Sequence, residues 1–375
     1  MHRFGTLLLV LPVASIVFMT ACAPTLVPRP ESESPTAYYD QGLILLEQDS
    51  LKTAAQFFHK AVKQDSTFAP GWAGLAFVIG TYGKTDLAFD YMKKAMRHKP
   101  TADVYVFKGR LLMRARKDDN GLNDAVQCFD RALDKKPGHT DALFYKALAL
   151  KQAAKLESAA GLLRQMLQTI ESAKADSLLS EINRVSRQNP VTQTATAIAL
   201  KDSVTRGDFA ALLDAEIQLY KKLQQNQPIG YGDGFQGPVP SEGILQQDRT
   251  IRDIKDHQAE NSIRKLVRAN VMDVYPDQTF RSDQILKRRD AALVCQNVMV
   301  HYLGQDITTR YINQPSVFPD VKRVNYAYNA INLVTELGIM QARENSGRFY
   351  PNQPLSGLDA LKAVHNLEQV LESMI

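Results

Sequence analysis

Ala54-Ala55-Gln56-Phe57-Phe58-His59-Lys60-Ala61 sets the pattern that decides the fold of the first half of the chain: a small residue, a bulky one four positions on, and a small or apolar one three further. Steps of four and three return to the same side of a helix, so the three residues form one buried stripe. The pattern recurs as Ala88, Met92, Ala95, as Ala125, Phe129, Ala132, and as Ala159, Leu163, Met166, the first two sets lying 34 residues apart. Upstream of three of these sets, Tyr38 and Gly42, Trp72 and Ala76, and Tyr105 and Gly109 hold matching places on a preceding helix. Pro100 and Pro137 close the second and third units, and Arg116 to Gly121 inserts four extra, turn-rich residues that are expected to bulge outward.

This spacing resembles the tetratricopeptide repeat, with about four units over residues 35–170; the fourth is degenerate, having Leu143 where an aromatic residue is usual. Each such unit is a helix pair that buries its apolar face only by stacking on its neighbours, and the small residues let the helices approach closely. The resemblance implies an α-helical solenoid whose concave face binds an extended peptide or a helix of a protein partner. Lys108, Arg110 and Lys146 fall on the first helices of their units and are the partner-binding candidates, set against a solvated-face role for each. Residues 171–190 then form a polar connecting helix or linker.

Beyond it stands Val204-Thr205-Arg206-Gly207-Asp208-Phe209, where Thr205 caps a helix start and Asp208 reaches back in a capping box. Two longer segments share a plan of helix, turn-rich loop and helix: one runs from Ile251 through Pro276 and Phe280 to Arg288 and Asp290, the other from Phe318-Pro319-Asp320 through Gly338-Ile339 and Gly347, Phe349, Pro351 to Ser356 and Asp359. Both resemble S-layer homology modules, whose second helix opens on Thr-Arg-Ala-Glu. The second segment has Gln278 and Ser282 where glycine and proline are expected. Residues 191–228 read as a truncated first module, 229–305 as the second and 306–375 as the third. The whole chain is therefore expected to be all-α, a tetratricopeptide solenoid followed by a three-module helical bundle.

In family members that bind wall polymer, the Thr-Arg-Ala-Glu groups line clefts between modules. The resemblance carries that role onto Thr205, Arg206, Asp208, Arg288, Asp290, Ser356 and Asp359. The third version, Ser356-Gly357-Leu358-Asp359, lacks the arginine. Two roles stay open: Arg206 and Arg288 contact a wall glycan, or Thr205, Ser356 and the aspartates serve only as helix caps.

The N-terminus reads as an address. Arg3 precedes an apolar run from Leu7 to Phe18 that is too short to span a bilayer and suits a signal peptide over residues 1–21. Met19-Thr20-Ala21-Cys22 resembles a bacterial lipobox, which implies acylation of Cys22, palmitate among the chains; the rival reading is an ordinary signal peptide cut near Ala21. Residues 22–34 form a Pro- and Ser-rich tether. Ala23 resembles the outer-membrane class of lipoproteins, so the expected place is the cell envelope, lipid-anchored in the outer membrane and facing the periplasm.

Composition excludes several classes. The net charge is +5 in 375 residues without a dense basic run, which argues against nucleic acid as a partner. Three cysteines without a C-x-x-C pair indicate neither a disulfide framework nor a structural metal, and Cys128 and Cys295 read as buried thiols. Gly232-Asp233-Gly234-Phe235-Gln236-Gly237 fits a dinucleotide-binding spacing but runs into Pro238 and reads as a linker. Asp273, Asp277 and Asp283 are spaced loosely like calcium ligands without the loop glycine and closing glutamate, and read as a solvated turn. No catalytic residue or cofactor is expected. The function expected is that of a non-catalytic envelope adaptor binding a protein partner and peptidoglycan or wall polysaccharide. The rival is an accessory lipoprotein for pilus, secretion or outer-membrane protein assembly whose modules make protein contacts only.

Overall fold

The computed structural model describes residues 33–115, 119–225, 251–343 and 345–374. Among these, every regular element is a helix, joined by three isolated bridge pairs. The signal peptide, Cys22, all of the tether before Glu33 and the Gly232 to Gly237 linker lie outside the described residues. No described helix is long and apolar enough to cross a membrane. Two compact units divide between Pro100 and Thr101.

The first unit holds α1 (Pro35–Glu47), α2 (Leu51–Gln64), α3 (Ala69–Thr81) and α4 (Thr85–Arg97). The Phe58 side chain decides its packing. A Cβ at Gly42 on α1 would lie 2.5 Å from the Phe58 ring, and one at Gly74 on α3 2.8 Å from it. Two glycines therefore make the slot for one fully buried phenyl group, and any side chain in either place would push the helices apart. Ser34 caps α1 by accepting from the Ala37 amide at 3.1 Å.

The second unit begins with α5 (Ala102–Ala115), α6 (Asp119–Lys135), α7 (Thr140–Gln152), α8 (Leu156–Leu167) and α9 (Ala173–Ser186). Phe129 takes the part that Phe58 plays, with Gly109 only 2.6 Å from its ring if given a Cβ. Of the stretch expected to bulge, the last three residues already belong to α6, because short polar residues that favour turns also suit a first helical turn. All four repeated sets, from Ala54 to Met166, are buried. The expected connecting segment is mostly α9, whose Ala175, Leu178, Ile182 and Val185 join a single apolar core running from Leu143 to Leu371.

Three helix pairs follow, one in each of the expected modules: α10 (Gln193–Ala199) with α11 (Arg206–Ile217), α13 (Glu260–Arg268) with α14 (Arg288–Leu303), and α15 (Tyr328–Glu336) with α16 (Gly357–Glu372); α12 (Leu219–Gln225) follows α11. A closed ring of backbone hydrogen bonds joins them. Val204 N donates to Leu355 O, Leu355 N to Leu286 O, and Leu286 N to Val204 O, each at 2.9 Å. These three apolar residues stand two positions before their helices and are almost wholly buried, so each module supplies one arm of a pseudo-threefold junction. Away from the ring, buried Glu216 on α11 accepts from the Val191 and Thr192 amides at 3.0 and 3.2 Å and lies 2.6 Å from His365 Nε2 on α16.

The loops of the second and third modules share one construction. Asp253 accepts from the amides of Phe280 (2.7 Å) and Arg281 (2.6 Å), and Asp320 from those of Phe349 (3.0 Å) and Tyr350 (2.7 Å). Two residues before each phenylalanine, Gln278 and Gly347 both adopt φ of 61°. A side chain in this left-handed region costs about 1–2 kcal/mol, partly offset because glycine loses more chain entropy on folding. Gln278→Gly is therefore expected to stabilise the protein by about 0.5 kcal/mol net. Urea unfolding would check this, and a lower midpoint for the variant would contradict it.

Candidate functional site

The two motif arginines are the first helical residues of their helices, and each reaches from its own module into the loop of the next. Arg206 donates through Nε to Phe280 O (3.0 Å) and through Nη2 to Asp273 O (2.8 Å). Arg288 repeats the arrangement with Phe349 O (2.8 Å) and Gln341 O (2.7 Å). Their guanidinium planes lie over Phe280 at 4.6 Å and over Phe349 at 4.8 Å. Burial pulls both pKa values below the ordinary arginine range, yet the fork of donors on carbonyl oxygens keeps each charge solvated by the protein. Arg288 is 3% exposed, and its Nη1 stands 3.6 Å from Asp359.

Gly357, where the third module lacks its arginine, has a steric cause. A Cβ there would lie 1.9 Å from Ile198 O, because module one connects α10 to α11 with residues 200–205 alone. The short connection brings its backbone against this helix start and leaves an arginine no room to stand. Gly357 N instead donates to Lys201 O at 2.9 Å.

The motif acids sit at the third helical position. Asp208 completes a capping box with Thr205, whose hydroxyl accepts from Asp208 N at 3.1 Å, and also binds Lys201 Nζ at 2.7 Å. Ser356 accepts from Asp359 N at 3.2 Å, and Asp359 binds Arg343 Nη2 at 2.7 Å. Asp290 accepts from the Tyr326 hydroxyl at 2.6 Å; burial, with that hydrogen bond and charge, pushes the phenol up to about 12. Lys287 makes no side-chain cap.

Arg206, Asp290 and Tyr326 on one side, and Arg288, Arg343 and Asp359 on the other, line two corresponding pockets, whereas Thr205 and Asp208 line neither. One, of about 300 Å³, is bounded by Arg206, Tyr275, Lys287, Arg289, Asp290 and Tyr326. The other, of about 540 Å³, is bounded by Arg288, Arg343, Asp359 and Lys362 with Gln188 and Asn366. Asn297 in the first and Asn366 in the second hold the same turn, donating to Val271 O (3.1 Å) and to Gly338 O (3.1 Å). Both pockets carry more positive than negative groups and suit an anionic ligand. The third junction offers about 220 Å³, with Glu181 and Arg184 of α9 among its walls. Arg343, Lys362, Lys201 and Tyr326 are absent from the sequence-derived set, since nothing in their local sequence marks them as facing a cleft.

On the repeat helices, Lys146 pairs with Asp130 at 2.6 Å, Arg110 lies over the Tyr145 ring at 4.3 Å, and Lys108 is half-buried. Cys128 and Cys295 are buried, and burial pushes the Cys295 thiol up to about 12. Asp277 is held down to about 2 by hydrogen bonds from Thr279 and then Arg281, while Asp283 stands out in solvent, 3.6 Å from His257. Among the described residues no group of three acids, histidines or cysteines is placed to hold a metal ion.

Comparison with known proteins finds two families. The S-layer homology domain matches residues 250–292 and 317–361, and a tetratricopeptide repeat matches residues 110–176. Protein O-mannosyl-transferase Tmtc3 of Drosophila melanogaster is 22% identical over 135 residues, which are 36% of this chain and 14% of the fly protein. Among solved structures, YrrB, described as a TPR protein with an unusual peptide-binding site, is 20% identical over 45% of this chain and 87% of its own, with a TM-score of 0.29. The APC/C hetero-tetramer Cut9-Hcn1 is 17% identical over 45% of this chain and 32% of its own, with a TM-score of 0.34. The chain thus joins a tetratricopeptide repeat region to S-layer homology domain sequence in one all-helical protein.

Proposed function

We propose that the protein is a non-catalytic adaptor of the cell envelope. Acylated Cys22 anchors it to the outer membrane on the periplasmic side, the tetratricopeptide part grips a protein partner, and the S-layer homology part contacts peptidoglycan or a wall-associated polysaccharide. The observation that carries this reading is the pair of corresponding, net-positive clefts between modules. A cleft of a few hundred Å³ with a few fixed polar groups is the ordinary form of a small ligand site, and here the fixed groups favour an anion. The mannosyl-transfer activity in the fly relative's name is not carried over, since the likeness covers 14% of that protein. The adaptor is expected to co-sediment, as full chain, with purified sacculi at low salt and to be released as salt rises. Full-chain protein that stays in the supernatant with sacculi, yet co-purifies with a pilus or outer-membrane assembly complex, would overturn the wall reading and establish the accessory one.

A further inference from the structure

We propose that the wall polymer's anionic group is held by Arg343 and Lys362 in the larger cleft, and that the motif arginine Arg288 is a scaffold residue of that cleft. This inference rests on the wall-binding reading above and names the residues and charge class that it uses. Donor geometry separates the three cations. Arg288 spends Nε and Nη2 on backbone carbonyls, is 3% exposed, and turns its remaining end toward Asp359. A ligand that took up Nε or Nη2 would leave the Phe349 and Gln341 carbonyls without their donor, so that end of Arg288 is committed to holding the loop.

Arg343 differs in each respect. Its side chain is 46% exposed, and it meets Asp359 through Nη2 at 2.7 Å and Nη1 at 3.5 Å, leaving Nε uncommitted to that pair. Lys362 stands one turn beyond Asp359 on α16, exposed on the same pocket wall. Three cations against the single carboxylate of Asp359 leave the cleft with a formal charge of +2. Arg343 also raises the cost of charging Arg288, a like-charge strain that a bound anion between Arg343 and Lys362 would relieve.

The smaller cleft is less suited. Its cations Arg206, Lys287 and Arg289 face two carboxylates, Asp273 and Asp290, for a formal charge of +1. Tyr326 covers Asp290 and has Arg289 against its ring at 4.9 Å. The larger cleft, at about 540 Å³, has room for a sugar unit bearing a carboxylate or phosphate, with Gln188 beyond α9 as a neutral polar wall.

The test uses the full chain, sedimented at low salt with intact sacculi and with sacculi stripped of phosphate-linked polysaccharide. Arg343→Ala and Lys362→Ala are each expected to weaken binding roughly tenfold, and the double variant to abolish it, with melting midpoints near that of the wild type. Lys287→Ala in the smaller cleft is expected to bind within about twofold of the wild type. Loss of wild-type binding on stripping would place the bound anion on the phosphate-linked polysaccharide, and its retention would place it on peptidoglycan. Wild-type binding that persists undiminished in the Arg343→Ala, Lys362→Ala double variant would overturn the assignment and leave the adaptor reading standing. Failure of the wild type to bind either preparation would overturn both.

Discussion

Gly357→Arg, which would restore the arginine that the other two modules carry, is expected to disrupt the second unit rather than improve it. The atoms in the way are backbone: a Cβ at 357 would sit 1.9 Å from Ile198 O, 2.8 Å from Ala199 C and 2.9 Å from Ala199 Cα. No side-chain rotamer relieves such a contact, so α10 or α16 must move. Either movement breaks the Gly357 N to Lys201 O bond and strains the Val204, Leu286 and Leu355 ring beside it. Overpacking of a fixed backbone junction together with lost buried hydrogen bonds places the expected loss above about 4 kcal/mol. In a unit of this size that lowers the melting midpoint by roughly 8 °C or more. Gly357→Ala is expected to show most of the effect, since the first carbon already clashes. A Gly357→Arg protein that melts within about 2 °C of the wild type would show that the junction opens freely, and with it the explanation of the missing arginine would fail.

The second large effect is expected at Arg288. Arg288→Ala removes two charge-assisted hydrogen bonds in a buried setting, leaving the Phe349 and Gln341 carbonyls without donors and Asp359 without one of its two cations. The buried Phe349 carbonyl costs about 1–3 kcal/mol when unsatisfied and that of exposed Gln341 less, so with the lost partner of Asp359 a loss of roughly 2–4 kcal/mol follows. Arg288→Lys is expected to recover little, because a single ammonium cannot reach two carbonyls held by a planar fork. Arg206→Ala loses the same pair of bonds in a more exposed place and is expected to cost less, roughly 1–3 kcal/mol. Urea unfolding of the three variants reads the order directly. Equal stability of Arg288→Ala and the wild type would refute the scaffold role.

Much of the repeat region is legible from sequence because its determinants are local. Ala54, Phe58 and Ala61 recur at helical spacing, and a helix of that period has only one face on which to bury them. The capping box of Thr205 and Asp208 is legible for the same reason, as the two residues are three apart on one turn. The lining of the clefts is another matter. Arg343 meets Asp359 across 16 residues, Tyr326 meets Asp290 across 36, and Arg288 reaches Phe349 across 61. No local period encodes such distances.

Gln278 shows a finer limit. Its position reads as one that wants glycine, and the backbone does adopt φ of 61° there, but only the Asp253 contacts to Phe280 and Arg281 explain why the loop accepts that cost. By itself the sequence determined that the chain is all-helical, repeats a small-bulky-small stripe, and opens three later helices on related polar starts, because short-range sterics and capping act within a turn or two. Only the tertiary structure decided that three unequal modules close on a ring of backbone bonds, that Gly357 must be bare, and which cations face the pockets, because those outcomes depend on where distant loops meet.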